Sequence, residues 1–227
     1  MRKIVLLCIL LCWVGLPGYG QGQKVAMGFR LGVNMAQLES LGEGGLGSYK
    51  IKGGFAGGVF VSYYLNKKFS LQPEIAYSNQ GGRAYRPYGI QGNSDYEVYT
   101  KQLHYIELPL LLKWQFSPKW YMLTGGSYAH LIGATELVLT AKSRQKMNLK
   151  KQYKPVNYFI NFGLGTLIPT QTGSFLVDVR LNAGLRNIID PAVLPNYKER
   201  TFSFKVSAGY LFGSRYASGG MAGRVLR

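Results

Sequence analysis

Between Lys24 and Phe212 the chain alternates large apolar residues with small or polar ones in eight successive stretches. That two-residue period belongs to a β-strand with two unlike faces. In the first stretch Val25, Met27, Phe29, Leu31, Val33 and Met35 share one phase, and Ala26, Gly28, Arg30, Gly32 and Asn34 share the other. The second runs through Phe55, Val59, Val61, Tyr63 and Leu65, and the third from about Phe69 to Gln80. The fourth sets Ile106, Leu108, Leu110, Leu112, Trp114 and Phe116 against Tyr105, Glu107, Pro109 and Lys113. The sixth (Tyr158 to Ile168), seventh (Phe175 to Leu185) and eighth (Phe202 to Phe212) repeat the pattern, while the fifth, about Trp120 to Thr140, shows no fixed register. Each stretch is about ten residues or slightly more, the length with which a tilted strand crosses a bilayer.

The connections alternate as well. Asn66 to Lys68, Ser117 to Lys119 and Pro169 to Ser174 are short, whereas Ala36 to Lys52, Gly81 to Thr100, Ala141 to Pro155 and Asn187 to Arg200 are long. Short turns on one side and long loops on the other are the topology of outer-membrane barrels, with an even strand count and both termini on the short-turn side. The pattern therefore predicts an all-β, eight-stranded antiparallel up-and-down transmembrane β-barrel, with short periplasmic turns and longer external loops. A soluble antiparallel sandwich or lipocalin-like barrel is the alternative, but its water-facing phase would be rich in charge. Here that phase is Gly, Ala, Ser and Asn with sparse charges of both signs, which suits a narrow lumen. Lipid supplies no backbone partners, so the sheet has to close on itself. The third stretch, LQPEIAYSNQ, then places Leu71, Pro73, Ile75 and Tyr77 toward lipid and Glu74 into the lumen, with Pro73 near the periplasmic end.

Compartment follows from the N-terminus. Arg2 and Lys3 precede the apolar run Ile4 to Val14, and Gly18-Tyr19-Gly20 follows, the arrangement of a secretory signal peptide over residues 1–20. Both cysteines, Cys8 and Cys12, lie inside it, so the mature chain offers no disulfide, thiol catalysis or Cys-based metal site. Removing residues 1–20 from 227 leaves 207, assigned as barrel over 21–212 and a basic tail over 213–227. The same cut takes the formal charge from +17 to +15, because residues 1–20 contain two basic residues and no acid. Abundant Tyr (17) and Gly (30) suit strands, tight turns and interfacial aromatic girdles.

Seven charges fall on the lumen phase: Arg30, Glu74, Glu107, Lys113, Asp178, Arg180 and Lys205. An unpaired charge inside a closed barrel is costly by several kcal/mol, and eight-stranded barrels have interiors filled by side chains. The expectation is that Glu74 and Glu107 pair with Arg30, Arg180 or Lys113 and plug the lumen, with a small gated conduit as the alternative. The long loop carries Lys142, Arg144, Lys146, Lys150, Lys151 and Lys154 and no acid. Such a loop is either a solvated surface or a contact for lipopolysaccharide phosphates, each cation near an anionic surface being worth about 1 kcal/mol. Nucleic acid is not an expected partner in this compartment, since charge alone supplies only nonspecific binding. Two histidines, His104 and His130, are present; His130 lies near Ser127 and Glu136, at spacings that match no catalytic motif, and His104 falls on the lipid phase. No phosphate loop or metal-ligand cluster appears, and no catalytic residue, metal or cofactor is expected.

Five segments, GFRLGVN (28–34), LQPEIAYSNQGG (71–82), YIELPLLLKW (105–114), VRLNAGLRNI (179–188) and FSFKVSAGYLF (202–212), resemble the PorT-like outer-membrane β-barrel family of Gram-negative bacteria. The most specific part is LQPE…YS…GG followed by Y-x-E-x-P-L-L-L-K. The resemblance implies an outer-membrane location, biogenesis through the barrel-assembly machinery, and contact with outer-membrane lipid and lipopolysaccharide. Since the founding member serves type IX secretion and gliding, it also implies secretion-system partners. The chain departs from the family habit of ending on an aromatic strand, continuing past Phe212. The expected role is structural or in protein secretion, without catalysis. The alternatives are an adhesion barrel acting through its external loops, a conduit, or an enzyme that modifies lipid A.

Overall fold

The computed structural model describes residues 24–40, 49–88, 95–140 and 143–212; the expected signal peptide, the tail 213–227 and Lys142 lie outside them. Among the described residues the strands are β1 (Val25–Ser40), β2 (Lys52–Tyr64), β3 (Phe69–Tyr88), β4 (Asp95–Gln115), β5 (Trp120–Leu139), β6 (Arg144–Asn148), β7 (Val156–Pro169), β8 (Gly173–Gly184) and β9 (Glu199–Phe212). A 3₁₀ turn, η1 (Lys150–Gln152), follows β6. Consecutive strands pair antiparallel except β6 and β7; β5 pairs with β7 as well as with β6, and β1 pairs with β9, so eight strands close a ring that leaves out β6. No helix among the described residues is long and apolar enough to cross a membrane; the crossing elements are strands.

The two phases face as the alternation requires. Leu31, Phe55, Val59, Leu110, Phe162 and Phe175 are exposed on the outside, while Asn34, Ser78, Glu107, Asn161, Asp178 and Ser203 are buried inside. The turn between β2 and β3 is held by Asn66, whose Oδ1 accepts the N–H bonds of Lys68 and Phe69 at 2.8 and 2.9 Å. Pro73 is exposed on the outer face. Its missing N–H falls toward β2, where the ladder skips from Phe60↔Glu74 to Tyr63↔Leu71, while Pro73↔Leu110 is kept with β4.

Three expectations need correction. The strands outrun the apolar belt: β3 and β4 stay paired from Phe69↔Trp114 to Tyr88↔Asp95, so the expected loop 81–100 is mostly hairpin. Likewise, residues 36–40 extend β1. Beyond the bilayer the outer face of the sheet meets water while Leu38 and Ala84 stay buried on the inner one, so the outer phase no longer has to be apolar and the sequence signal fades. The basic segment 141–155, expected as a long connecting loop, contains β6, whose residues 144–148 pair with Leu139 to Thr135 of β5. The unreadable register of the fifth stretch has a physical cause. Pairing with β4 steps from His104↔Gly133 to Tyr105↔Leu131, skipping Ile132. This bulge shifts the alternation by one residue, so that Leu131 and Ala134 both point inward and Ile132 outward. Below it both phases are apolar, with Tyr121 and Leu123 inside and Trp120 and Met122 outside.

Gly81 holds the β3–β4 hairpin where it leaves the belt. Its φ is +143°, and a Cβ there would lie 2.0 Å from the carbonyl oxygen of Lys101. Gly81→Val is expected to destabilise the barrel by about 1–3 kcal/mol, read as a lower temperature at which the unboiled, fast-migrating gel band is lost. Gly53→Val, at a position with no atom within 4 Å of its would-be Cβ, should leave that temperature unchanged.

Candidate functional site

The interior is built in three storeys. At the short-turn end Ala26, Phe60, Leu111, Tyr121, Leu123, Leu167, Leu176 and Leu211 form an apolar cluster. At the long-loop end Leu38, Tyr105, Leu131 and Phe159 pack with Tyr49, Leu149, Tyr153, Ile188 and Ile189 from the loops. Between them lies the polar layer. Apart from Tyr105, the large inward residues went unread in the sequence because runs such as LPLLLKW are apolar on both phases.

Four of the seven lumen charges make a closed circuit of alternating sign. Arg30 on β1 reaches Asp178 on β8 at 2.8 Å and Glu74 on β3 at 3.2 Å. Arg180, two residues along β8 and so on the same face, donates to both oxygens of Glu74 at 2.9 and 3.0 Å and lies 3.3 Å from Asp178. The remaining lone pairs are satisfied: Tyr121 and Ser207 hydroxyls donate to Asp178 at 3.0 and 2.6 Å, and the Gln72 amide donates to Glu74. A second unit pairs Lys205 Nζ with Glu107 Oε2 at 2.6 Å, and Gln80 Nε2 donates to Glu107 Oε1 at 2.7 Å. With its amide oriented to satisfy both ends, Asn182 accepts from Lys205 at 2.9 Å and donates to Asn161 at 3.0 Å.

All seven predicted lumen residues are buried, but the pairing differs from the expectation in two respects. Glu107 takes Lys205 in place of the three candidates named, and Lys113 forms no ion pair with a carboxylate among the described residues. Its ammonium lies 4.1 Å from the Tyr121 ring centroid, a cation–π contact. Arg30 stands similarly over Phe60, at 4.4 Å. The layer leaves a cavity of about 30 Å³ between Arg30, Glu74, Glu107, Asn161, Arg180 and Lys205, room for about two waters.

A further cluster, which the alternation gave no reason to single out, closes the long-loop end. Lys101 Nζ bonds Glu199 Oε1 at 2.6 Å, and Tyr153 donates to Glu199 Oε2 at 3.1 Å. The Tyr49 ring centroid lies 4.7 Å from the same ammonium. Burial first, and then the Glu199 carboxylate beside it, push the Tyr153 hydroxyl well above its ordinary range, so it remains a donor. The signal available was scarcity: the chain has only ten acids, and one beginning a barrel strand calls for a partner.

Of the basic loop, Arg144 and Lys146 are exposed on β6, Lys150 and Lys151 are exposed on η1, and Lys154 is half-buried. Ser127 and His130 share no site: Ser127 is inside, bonded by Asn161, and His130 is on the outer phase. His104 is also on that phase, bonded to Tyr77 at 2.6 Å. Among the described residues no group of three or more His, Cys, Asp or Glu is placed to hold a metal.

A family model described as outer membrane protein beta-barrel domain matches residues 20–190. No curated protein matches the chain. Among solved structures, Ail, the attachment invasion locus protein of Yersinia pestis, in complex with the heparin analogue sucrose octasulfate, is similar at 9% identity and a TM-score of 0.44, over 84% of this chain and 100% of that one. The outer membrane protease OmpT of Escherichia coli gives 8% and 0.43, over 85% and 97%. Neisserial surface protein A gives 16% and 0.37, over 81% and 96%. Identities this low speak to neither role nor ligand.

Proposed function

Because the chain belongs to the outer membrane protein beta-barrel domain family, and so to the outer membrane, we propose that it works there as a filled, non-conducting and non-catalytic barrel. It serves outer-membrane structure or, in the manner of PorT-like barrels, protein secretion. One observation carries the reading: every carboxylate of the polar layer between two apolar clusters is paired with a cation of the same layer, with space for about two waters. A barrel filled in this way acts through its ends and rim. The separation of Ser127 from His130 supports the non-catalytic part, and the five segments quoted above support the secretion role.

The purified protein in a planar bilayer is expected to give no steady conductance. A persistent open current that vanished in Glu107→Ala would overturn the filled-barrel reading, and fatty acid released from lipid A but not by His130→Ala protein would overturn the non-catalytic one. For the role itself, a deletion strain is expected to lose outer-membrane integrity if the role is structural, or to fail in export of cargo proteins with its outer membrane intact if the role is secretion.

A second reading, a surface-binding barrel, is favoured by the continuation of β3, β4 and β5 beyond the belt with β6 added outside the ring. Intact export in the deletion strain, together with loss of attachment, would select it. In either case Lys150 and Lys151 on η1 are the cations proposed to contact lipopolysaccharide phosphates, and the barrel-assembly machinery is the proposed partner during insertion.

A further inference from the structure

β6 is paired on one side only. Its residues match Leu139 to Thr135 of β5, and no other strand among the described residues pairs with it. The flanking bonds fix which backbone groups are free: Thr140 N–H donates to Ser143 O, and Leu149 N–H to Ala134 O, each at 3.0 Å. Bonded positions alternate in an antiparallel ladder. Residues 143, 145, 147 and 149 therefore turn their N–H and C=O toward β5, and residues 144, 146 and 148 turn theirs away.

The free edge is thus presented chiefly by Arg144 and Lys146. Two residues apart, they send their side chains to one face, the face of Leu139 and Leu137 opposite them. All five β6 side chains are exposed. The segment itself is cationic: Lys150, Lys151 and Lys154 follow, and no acid occurs from Thr140 to Pro155, while Glu136 of β5 stands opposite Met147, one position out of phase with Arg144 and Lys146. Basic residues on a short edge deter an apolar or like-charged strand. An incoming strand with acids at the same two-residue spacing meets charge complementarity and unpaired backbone groups together, the pattern of recognition by strand addition. An anionic lipid surface would use the charge but has no extended backbone to offer the edge.

We propose that the free edge of β6 docks an extended acidic polypeptide segment, which adds a strand beyond β6 and sets carboxylates two residues apart against Arg144 and Lys146. This goes beyond the role proposed above and does not depend on it, since either reading leaves the partner's chemistry open.

The test uses the full chain in phosphatidylcholine nanodiscs and an end-blocked, fluorescent eight-residue peptide alternating Glu and Thr. Binding is followed by anisotropy. An isomer with the same residues and its glutamates in adjacent pairs should bind much more weakly. Lys146→Pro removes one outward N–H, no bond to β5, and the Lys146 ammonium, at a place where an edge strand tolerates proline. Measured against Lys146→Gln, which loses only the charge, it should weaken binding roughly a further tenfold, about the upper worth of one net hydrogen bond. Arg144→Gln/Lys146→Gln should weaken binding by a similar factor while leaving the edge intact. Should Lys146→Pro alter the gel mobility of the folded barrel, N-methylation of alternate peptide amides removes the same class of bond from the other side and should likewise abolish binding. No binding of the alternating peptide overturns the proposal. So does equal binding of the two isomers, or binding that survives both proline and N-methylation, since either marks a bare charge patch of the kind a lipid headgroup would fill.

Discussion

Glu74→Ala is expected to destabilise the barrel by about 3–5 kcal/mol, the cost of leaving a buried charge without its partner. Glu74, like Asp178, is shared by both guanidinium groups, at 3.2 Å from Arg30 and 2.9 Å from Arg180. Its removal leaves Asp178 to neutralise two arginines, with Lys113 nearby and resting only on an aromatic face. Desolvation decides the size of the effect, since the same pair on a surface would be worth about 1 kcal/mol or less. The check is a denaturant titration of the protein in lipid vesicles. Glu74→Gln/Arg180→Gln should be less damaging than the sum of its single variants, because it removes both ends of one interaction. Full additivity would mean that the circuit is four independent contacts.

Phe159→Ala is the second large effect, also about 3–5 kcal/mol, from lost transfer energy and the cavity left behind. Phe159 is 1% exposed and sits edge-on to Tyr105, with ring centroids 6.4 Å apart at 84°. It packs where Leu131 from the barrel meets Tyr153 and Ile188 from the loops. The space cannot be refilled by a shift of one neighbour, because those neighbours come from separate strands and loops. The titration midpoint should fall while planar-bilayer conductance stays at the noise level, since the charged layer lies beneath and is untouched. A steady current in Phe159→Ala would show that the outer cluster alone closes the lumen.

The parts of this barrel legible in the sequence are those where physics imposes two unlike faces. Between lipid and a crowded lumen, Phe29 and Arg30 have to point opposite ways, and strands such as β1, β8 and β9 declare themselves residue by residue. Legibility ends where that contrast ends. Gly81 to Tyr88 continue β3 with water on the outer side, so nothing in their hydropathy distinguishes strand from loop. Arg144 to Asn148 form β6 through backbone bonds alone. In β5 the contrast is lost differently, through Tyr121 and Leu123 packing inward and the skipped Ile132. The inward charges were visible as exceptions on a small-residue phase, but their partners depend on shear and tilt, which one strand's pattern does not contain. Hence Glu107 meets Lys205, and Lys113 meets the Tyr121 ring.

The charged circuit also bears on how the barrel finishes assembling. Its members lie far apart along the chain, Arg30 and Asp178 by 148 residues, and Asp178 is steadied by Ser207 of the last strand. The final act of closure joins the first strand to the last, with Arg30 beside Gly209. A slip of one residue at that seam would turn Arg30 toward the acyl chains, and a slip of two would carry it roughly 7 Å from its carboxylates. The observed alignment is the one that sets Arg30 beside both Asp178 and Glu74. A cylinder zipped out of register at that seam would hold Arg30 away from both carboxylates, so the lumen charges favour the observed closure over its neighbours.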